Sequence, residues 1–255
     1  MQQKSPLPTI SQDFTKQTAA PGEYPIDKIA LNSRIFIIEG ISGSGKDTLQ
    51  IYLNKTFAEL NVYDYSEGDV LHSWKQLQID GISELRVKLM KYFVKYMRDI
   101  LDRDENAVFL LNRFHLSTYA STIIDHPELE DEYGQIINGL RALPVHILVL
   151  QLDENEIEQR SLHPERSGAW RKFQEQIVQK HGFRERLQRQ QTLILQTAKQ
   201  QQIPYSIIKL SIERELGSGQ VRISEIPSLV PPIEVTPFKI RKRKKRLPPT
   251  NPPKP

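Results

Sequence analysis

The sequence predicts an α/β protein, a parallel sheet with helices on both faces making three layers. Two observations carry this reading. Apolar, β-branched runs alternate with segments of helical period from about residue 34 to residue 210, and such alternation needs crossover connections and hence parallel pairing. The first of these runs also passes directly into a glycine-rich loop that opens a helix-period segment, a strand–loop–helix order with its own chemical meaning.

The elements follow in order. Residues 34–40 (RIFIIEG) form a β-branched and aromatic run closed by glycine, the pattern of a buried strand. Residues 46–60 continue at helical spacing, with Leu49, Tyr52, Leu53, Phe57 and Leu60 on one face. Residues 62–65 read as a second short strand. Residues 83–101 open on Ser-Glu, a helix-start signal, and their predicted core face is Leu85, Leu89, Phe93, Tyr96 and Ile100. Residues 107–111 (AVFLL) and 146–152 (HILVLQL, entered through Pro144) are strand candidates. Residues 154–160 and 184–202 read as helices and 205–210 (YSIIKL) as the last strand. The glutamine clusters at 188–191 and 200–202 are assigned to a solvated helical face.

A chain of 255 residues is long enough for one sizeable domain with tails. The absence of cysteine excludes a disulfide framework, thiolate zinc sites and iron–sulfur clusters. No apolar run approaches the roughly 18–20 residues of a membrane helix, and the first residues lack the apolar core of a secretory signal. The expected location is therefore the cytoplasm. A net charge of +4 suggests at first a polyanion binder, but eight cations and no acids lie between Lys239 and the end. Without them, residues 1–238 carry −4. Nine of the seventeen prolines fall between Pro227 and Pro255, so that segment cannot bury enough apolar surface to offset its ordering entropy. The expected organisation is a disordered arm at 1–30, a folded domain at 31–215 and a disordered, basic, proline-rich tail at 216–255.

Gly40-Ile41-Ser42-Gly43-Ser44-Gly45-Lys46-Asp47-Thr48 is a G-x-x-x-x-G-K loop in its required context. Its glycines let backbone N–H groups curl around phosphate oxygens, and the helix start adds partial positive charge. Lys46 supplies the full charge for β- and γ-phosphates. The expected nucleotide-binding residues are Gly40, Ser42, Gly43, Ser44, Gly45, Lys46, Asp47 and Thr48, and the expected cofactors are ATP and Mg²⁺. Asp47 stands where Ser or Thr usually meets magnesium; Thr48, one residue on, is turned about 100° around the helix. Asp47 and Thr48 are the metal candidates. The fold expected from this loop is that of the P-loop NTPases.

Two further stretches narrow the reading. Asn112-Arg113-Phe114-His115-Leu116-Ser117-Thr118-Tyr119-Ala120, after the third strand, resembles the D-R-[YF]-x-x-S-x-x-A-Y-Q segment of thymidylate kinases. Arg113, Phe114, Ser117 and Ala120 are in register, while Asn112, Ser121 and Thr122 replace Asp, Tyr and Gln. Residues 147–160 (ILVLQLDENEIEQR) resemble the family's fourth strand and following helix, with Arg160, Arg166 and Arg171 in the place of its arginine-bearing lid. Glu39-Gly40 fits both thymidylate kinases and deoxynucleoside kinases, and Glu67 stands where these kinases carry an acid.

The resemblance implies a nucleoside monophosphate kinase that moves the γ-phosphoryl group of ATP to a (deoxy)nucleoside monophosphate. Catalytic candidates are Lys46, Arg113, Glu67, Arg160, Arg166 and Arg171. Arg113 would clamp the acceptor phosphate, fork against oxygens, and the arginines from 160 to 171 would supply closing charge. Glu67 divides this reading from its sibling, a deoxynucleoside kinase in which it is the general base. A third reading is a non-catalytic ATP-binding module with a polyanion-binding tail, favoured by Asp47 and Asn112. Arg160 has an ordinary alternative as the i+4 partner of Glu156, and Ser117 one as a helix cap. Phe93 or Tyr96 would stack on a base unless they are core. Expected partners are the acceptor, a polyanion on RKRKKR from Arg241 to Arg246, and a second copy in a homodimer; no membrane span is expected.

Overall fold

The computed structural model describes residues 33–72, 80–161 and 182–210. The ends of the expected domain, both tails, Arg166, Arg171 and residues 241–246 lie outside the described residues. Five strands, β1 (Ile35–Gly40), β2 (Asn61–Tyr65), β3 (Ala107–Asn112), β4 (Val145–Leu152) and β5 (Tyr205–Leu210), form one parallel sheet in the order β2-β3-β1-β4-β5. The helices are α1 (Lys46–Thr56), α2 (Ile82–Leu101), α3 (His115–Ser121), α4 (Glu130–Arg141), α5 (Ile157–Ser161) and α6 (Phe183–Gln200). The predicted α/β class and parallel sheet are what the molecule has.

Every residue of β1 and β3 is buried, and so is β4 apart from Gln151. Burial on both faces is why these strands read as unbroken apolar runs. Each buried Ile or Leu contributes roughly 1.5–3 kcal/mol, so the central strands dominate the core. β2 lies at an edge and is partly exposed. β1 pairs with β4 from Ile35↔Val145 to Gly40↔Leu150. The crossover after β1 returns on one side, to β2, and the one after β4 on the other, to β5. Ligand crevices of open α/β sheets form beyond the strand ends at such a reversal, and the glycine-rich loop sits there.

Several elements differ from expectation. α1 ends at Thr56, short of residue 60, although Leu49, Leu53 and Phe57 are buried as predicted. α2 starts after Gly81 at φ 72°, so Ser83 lies inside the helix and is no cap. Its core face is Val87, Met90, Val94 and Met97; Leu85 and Tyr96, assigned to the core, are 36% and 37% exposed. Phe93 and Ile100 of the predicted face are partly buried and pack against the core, so the observed face is turned from the predicted one and overlaps it. α4 has no predicted counterpart, yet Tyr133, Ile136, Ile137 and Leu140 form an i, i+3, i+4, i+7 core stripe behind an acidic first turn. Two glutamines of the expected solvated face are buried instead. Gln191 bonds both the N–H and the C=O of Leu152, and Gln201 bonds His115 and Tyr133, so each satisfies polar groups that the fold takes out of water.

Candidate functional site

The loop between β1 and α1 has the backbone its glycines allow. Gly40 lies at φ 150°, and a Cβ there would come within 2.7 Å of Ser44 Oγ and 2.8 Å of the Leu150 carbonyl. Gly43, at φ 84°, packs so closely that a Cβ would lie 3.0 Å from the Arg160 carbonyl carbon. Side chains at either position would force the loop open. Lys46 closes the loop on itself: its Nζ donates to Ile41 O at 2.7 Å and Ser44 Oγ at 3.5 Å. Burial, and next the charge of Arg113, hold the Lys46 pKa well below the usual lysine value.

Asp47 and Thr48 are exposed on the first turn of α1. Asp47 Oδ1 accepts from Asn112 Nδ2 at 2.6 Å, and the same amide donates to Gln50 Oε1 at 2.8 Å. Gln50 in turn donates to Asp64 and, at 3.3 Å, to Tyr65 O. A polar chain thus ties the start of α1 to the ends of β3 and β2. The two departures from the family pattern, Asp47 and Asn112, are direct neighbours in it. Among the described residues no group of three or more His, Asp or Glu is placed to hold a metal. An exposed carboxylate beside a phosphate loop nonetheless suits Mg²⁺, which takes one or two carboxylates together with phosphates and waters. Asp47, exposed on the first turn of α1, fits that role.

Arg113 follows β3 in the left-handed conformation, φ 65°, unusual for a residue with a side chain. Its N–H donates to Ile38 O at 2.9 Å, and its Nη1 lies 2.6 Å from Glu67 Oε2. What holds this turn is Glu39. That carboxylate is fully buried and accepts the N–H groups of Phe114 (3.0 Å), Leu116 (3.0 Å) and Ser117 (3.2 Å) and the Ser117 hydroxyl. Burial raises its pKa, against the opposing pull of these bonds and of Arg113. Ser117 is therefore a partner of Glu39 and not a helix cap. Thr118 is likewise committed, to Phe114 O at 2.7 Å.

Arg160 lies at the end of α5 with Nε 3.8 Å from Glu156 Oε2. Ser161 beside it donates to Ser42 O at 2.9 Å, fully buried. Together with the Gly43 contact, this fastens α5 to the tip of the glycine-rich loop. Phe93 packs on Tyr65 and Phe114, and Tyr96 on Tyr65 and Phe109, with the Tyr65 and Tyr96 hydroxyls 3.0 Å apart. These aromatics pack on one another.

The structure thus brings Lys46, Asp47, Arg113, Glu67 and Arg160 around one strand-end region. Sequence reasoning passed over Ser161 and Arg86 of that region and gave Glu39 no role of its own. Glu39 carried a signal, an acid inside an apolar strand. Ser161 carried none. Arg86 of α2 lines a narrow cleft with Glu67, Arg113, Phe114, Ser121 and Thr122.

No family model matches the sequence, and no curated protein matches it. Solved structures do. The chain is similar to thymidylate kinases. The enzyme from Ehrlichia chaffeensis is 20% identical, with a TM-score of 0.45 over 72% of this chain and 91% of its own. That from Candida albicans is 17% identical, with a TM-score of 0.44 over 69% and 84%. Among the described residues no helix is long and apolar enough to cross a membrane.

Proposed function

We propose that the protein transfers the γ-phosphoryl group of ATP to the phosphate of a nucleoside monophosphate. One observation carries this: Lys46 folds back on the glycine-rich loop, its Nζ 2.7 Å from Ile41 O, while Arg113 at the neighbouring strand end bonds through its N–H, at 2.9 Å, to Ile38 of the strand that leads into that loop. Transfer between two phosphate anions needs converging cations, because positioning and charge stabilisation supply most of the catalysis. In this reading Lys46 and the backbone of 43–47 hold the β- and γ-phosphates, with Gly40, Ser42 and Thr48 shaping the loop around them. Arg113 holds the acceptor. Asp47 would hold Mg²⁺, which neutralises phosphate charge when bound. Arg160, joined by Arg166 and Arg171, would supply the remaining positive charge.

An acceptor phosphate oxygen forms the new bond to the γ-phosphorus as the bond to the β–γ bridging oxygen breaks, leaving ADP and a nucleoside diphosphate. The attacking oxygen is already anionic, so no general base is required. Glu67, held 2.6 Å from a guanidinium, serves in this reading as the counter-ion of Arg113. The test is ADP release by the purified protein with ATP and Mg²⁺ across the nucleosides and their monophosphates. Release with a monophosphate and not with the nucleoside is the expected result. Release with nucleosides alone would give Glu67 the role of base, and none with any acceptor despite ATP binding would overturn the kinase reading.

A further inference from the structure

We propose that the cleft between α2 and α3 seats a phosphate monoester and that Arg86 is its second cation, beside Arg113. The proposal rests on the acceptor reading above and adds a residue to it. Arg86 and Arg113 line the same narrow cleft. The Nε of each is buried and, among the described residues, has no hydrogen-bond acceptor. Arg113 spends Nη1 on Glu67, whereas among the described residues the Nε of Arg86 meets no acceptor. Buried N–H donors without acceptors are costly, and so are two like charges sharing a cleft with one carboxylate. An incoming dianion removes both costs at once.

The rest of the lining agrees. Ser121 and Thr122 present hydroxyls whose hydrogen bond is a 3.4 Å contact with each other, so both remain available to phosphate oxygens. Fork-shaped guanidiniums match such oxygens two at a time. A neutral hydroxyl in the same place brings one acceptor oxygen and no charge to offset two guanidiniums, and sites built for charged partners reject analogues that lack them. The cleft therefore selects a phosphorylated acceptor over a free nucleoside. Arg86 owes its place to the true core face of α2: Val87 and Met90 point inward, and Arg86 rides on their flank toward α3.

The test is calorimetric titration of the full-length protein with inorganic phosphate, with each nucleoside 5′-monophosphate and with ATP, for wild type, Arg86→Met, Arg86→Lys and Arg113→Met. Arg86→Met should weaken phosphate and monophosphate binding about tenfold or more and leave ATP affinity unchanged. Arg86→Lys, which keeps the charge and the fold, should lose several-fold because it lacks the fork. Equal monophosphate affinity in wild type and both Arg86 variants, with loss only in Arg113→Met, would overturn the Arg86 seat and leave the kinase reading standing. Arg86-dependent binding of inorganic phosphate without binding of any nucleotide monophosphate would support the seat and overturn the acceptor reading. No binding of phosphate or monophosphate would overturn both.

Discussion

Lys46 is a buried cation that its own fold disfavours. Its pKa is lowered chiefly by desolvation, so the unfolded chain holds the proton more tightly than the folded one. Stability therefore rises with pH between the lowered folded value and the ordinary value near 10.5, and at neutral pH the charge works against the fold. Lys46→Met should raise Tm at pH 7 by a few degrees, at about 2–4 °C per kcal/mol for a domain of this size, while abolishing ATP binding. A Tm lowered by the substitution would refute this account. Arg113 poses the complementary case, since its backbone sits at φ 65°. Arg113→Gly and Arg113→Ala both remove the guanidinium, but only Ala keeps the strain. Urea unfolding should show the Ala variant less stable by about 1 kcal/mol; equal midpoints would place no strain there. The loop and Arg113 were legible in the sequence because glycine, lysine and strand context are local. Arg86 was not, because its neighbours lie across a cleft, and Glu39 showed only as an acid in an apolar strand, because its partners lie 75 or more residues away.

Helix faces were the least legible feature at the scale of elements. In α2 two apolar stripes compete, and only packing chooses between them. Met90 is fully buried and Leu85 is 36% exposed, so Met90→Ala should cost about 2–5 kcal/mol and Leu85→Ala about 0.5 kcal/mol or less. Comparable losses, measured by denaturant unfolding, would restore the predicted face. α4 escaped for a related reason. Gly134 and Gly139 lower its helix propensity, yet a Cβ at Gly139 would come within 2.8 Å of Val94 Cγ1 on α2. The glycine that hides the helix is what lets it pack. The three central strands were legible almost to the residue, because burial on both faces leaves an unbroken apolar run.

For the whole molecule, two buried histidines set the acid side of stability. Burial lowers His115 to about 3 and His146 to about 4. The unfolded chain takes up these protons from about pH 6.5 downward while the folded chain does not, so stability is lost as pH falls from 6.5 toward 4. His115→Gln, which keeps an amide for Gln201, should flatten the fall of Tm over that range; an unchanged slope would show that His115 does not titrate on unfolding. His115 also helps join α3 to its surroundings, through Gln201 at 2.8 Å and through its carbonyl to Tyr133 at 3.2 Å.

The clasp at Glu39 has a kinetic consequence. Three amides, of Phe114, Leu116 and Ser117, depend on one carboxylate. A fluctuation that withdraws that side chain exposes all three to solvent together, so their hydrogen-exchange rates should be equal after correction for sequence and should change in step. Three separate rates would mean three separate doors. A single shared rate would make these amides a clock for how often the strand bearing the glycine-rich loop lets go of the turn bearing Arg113.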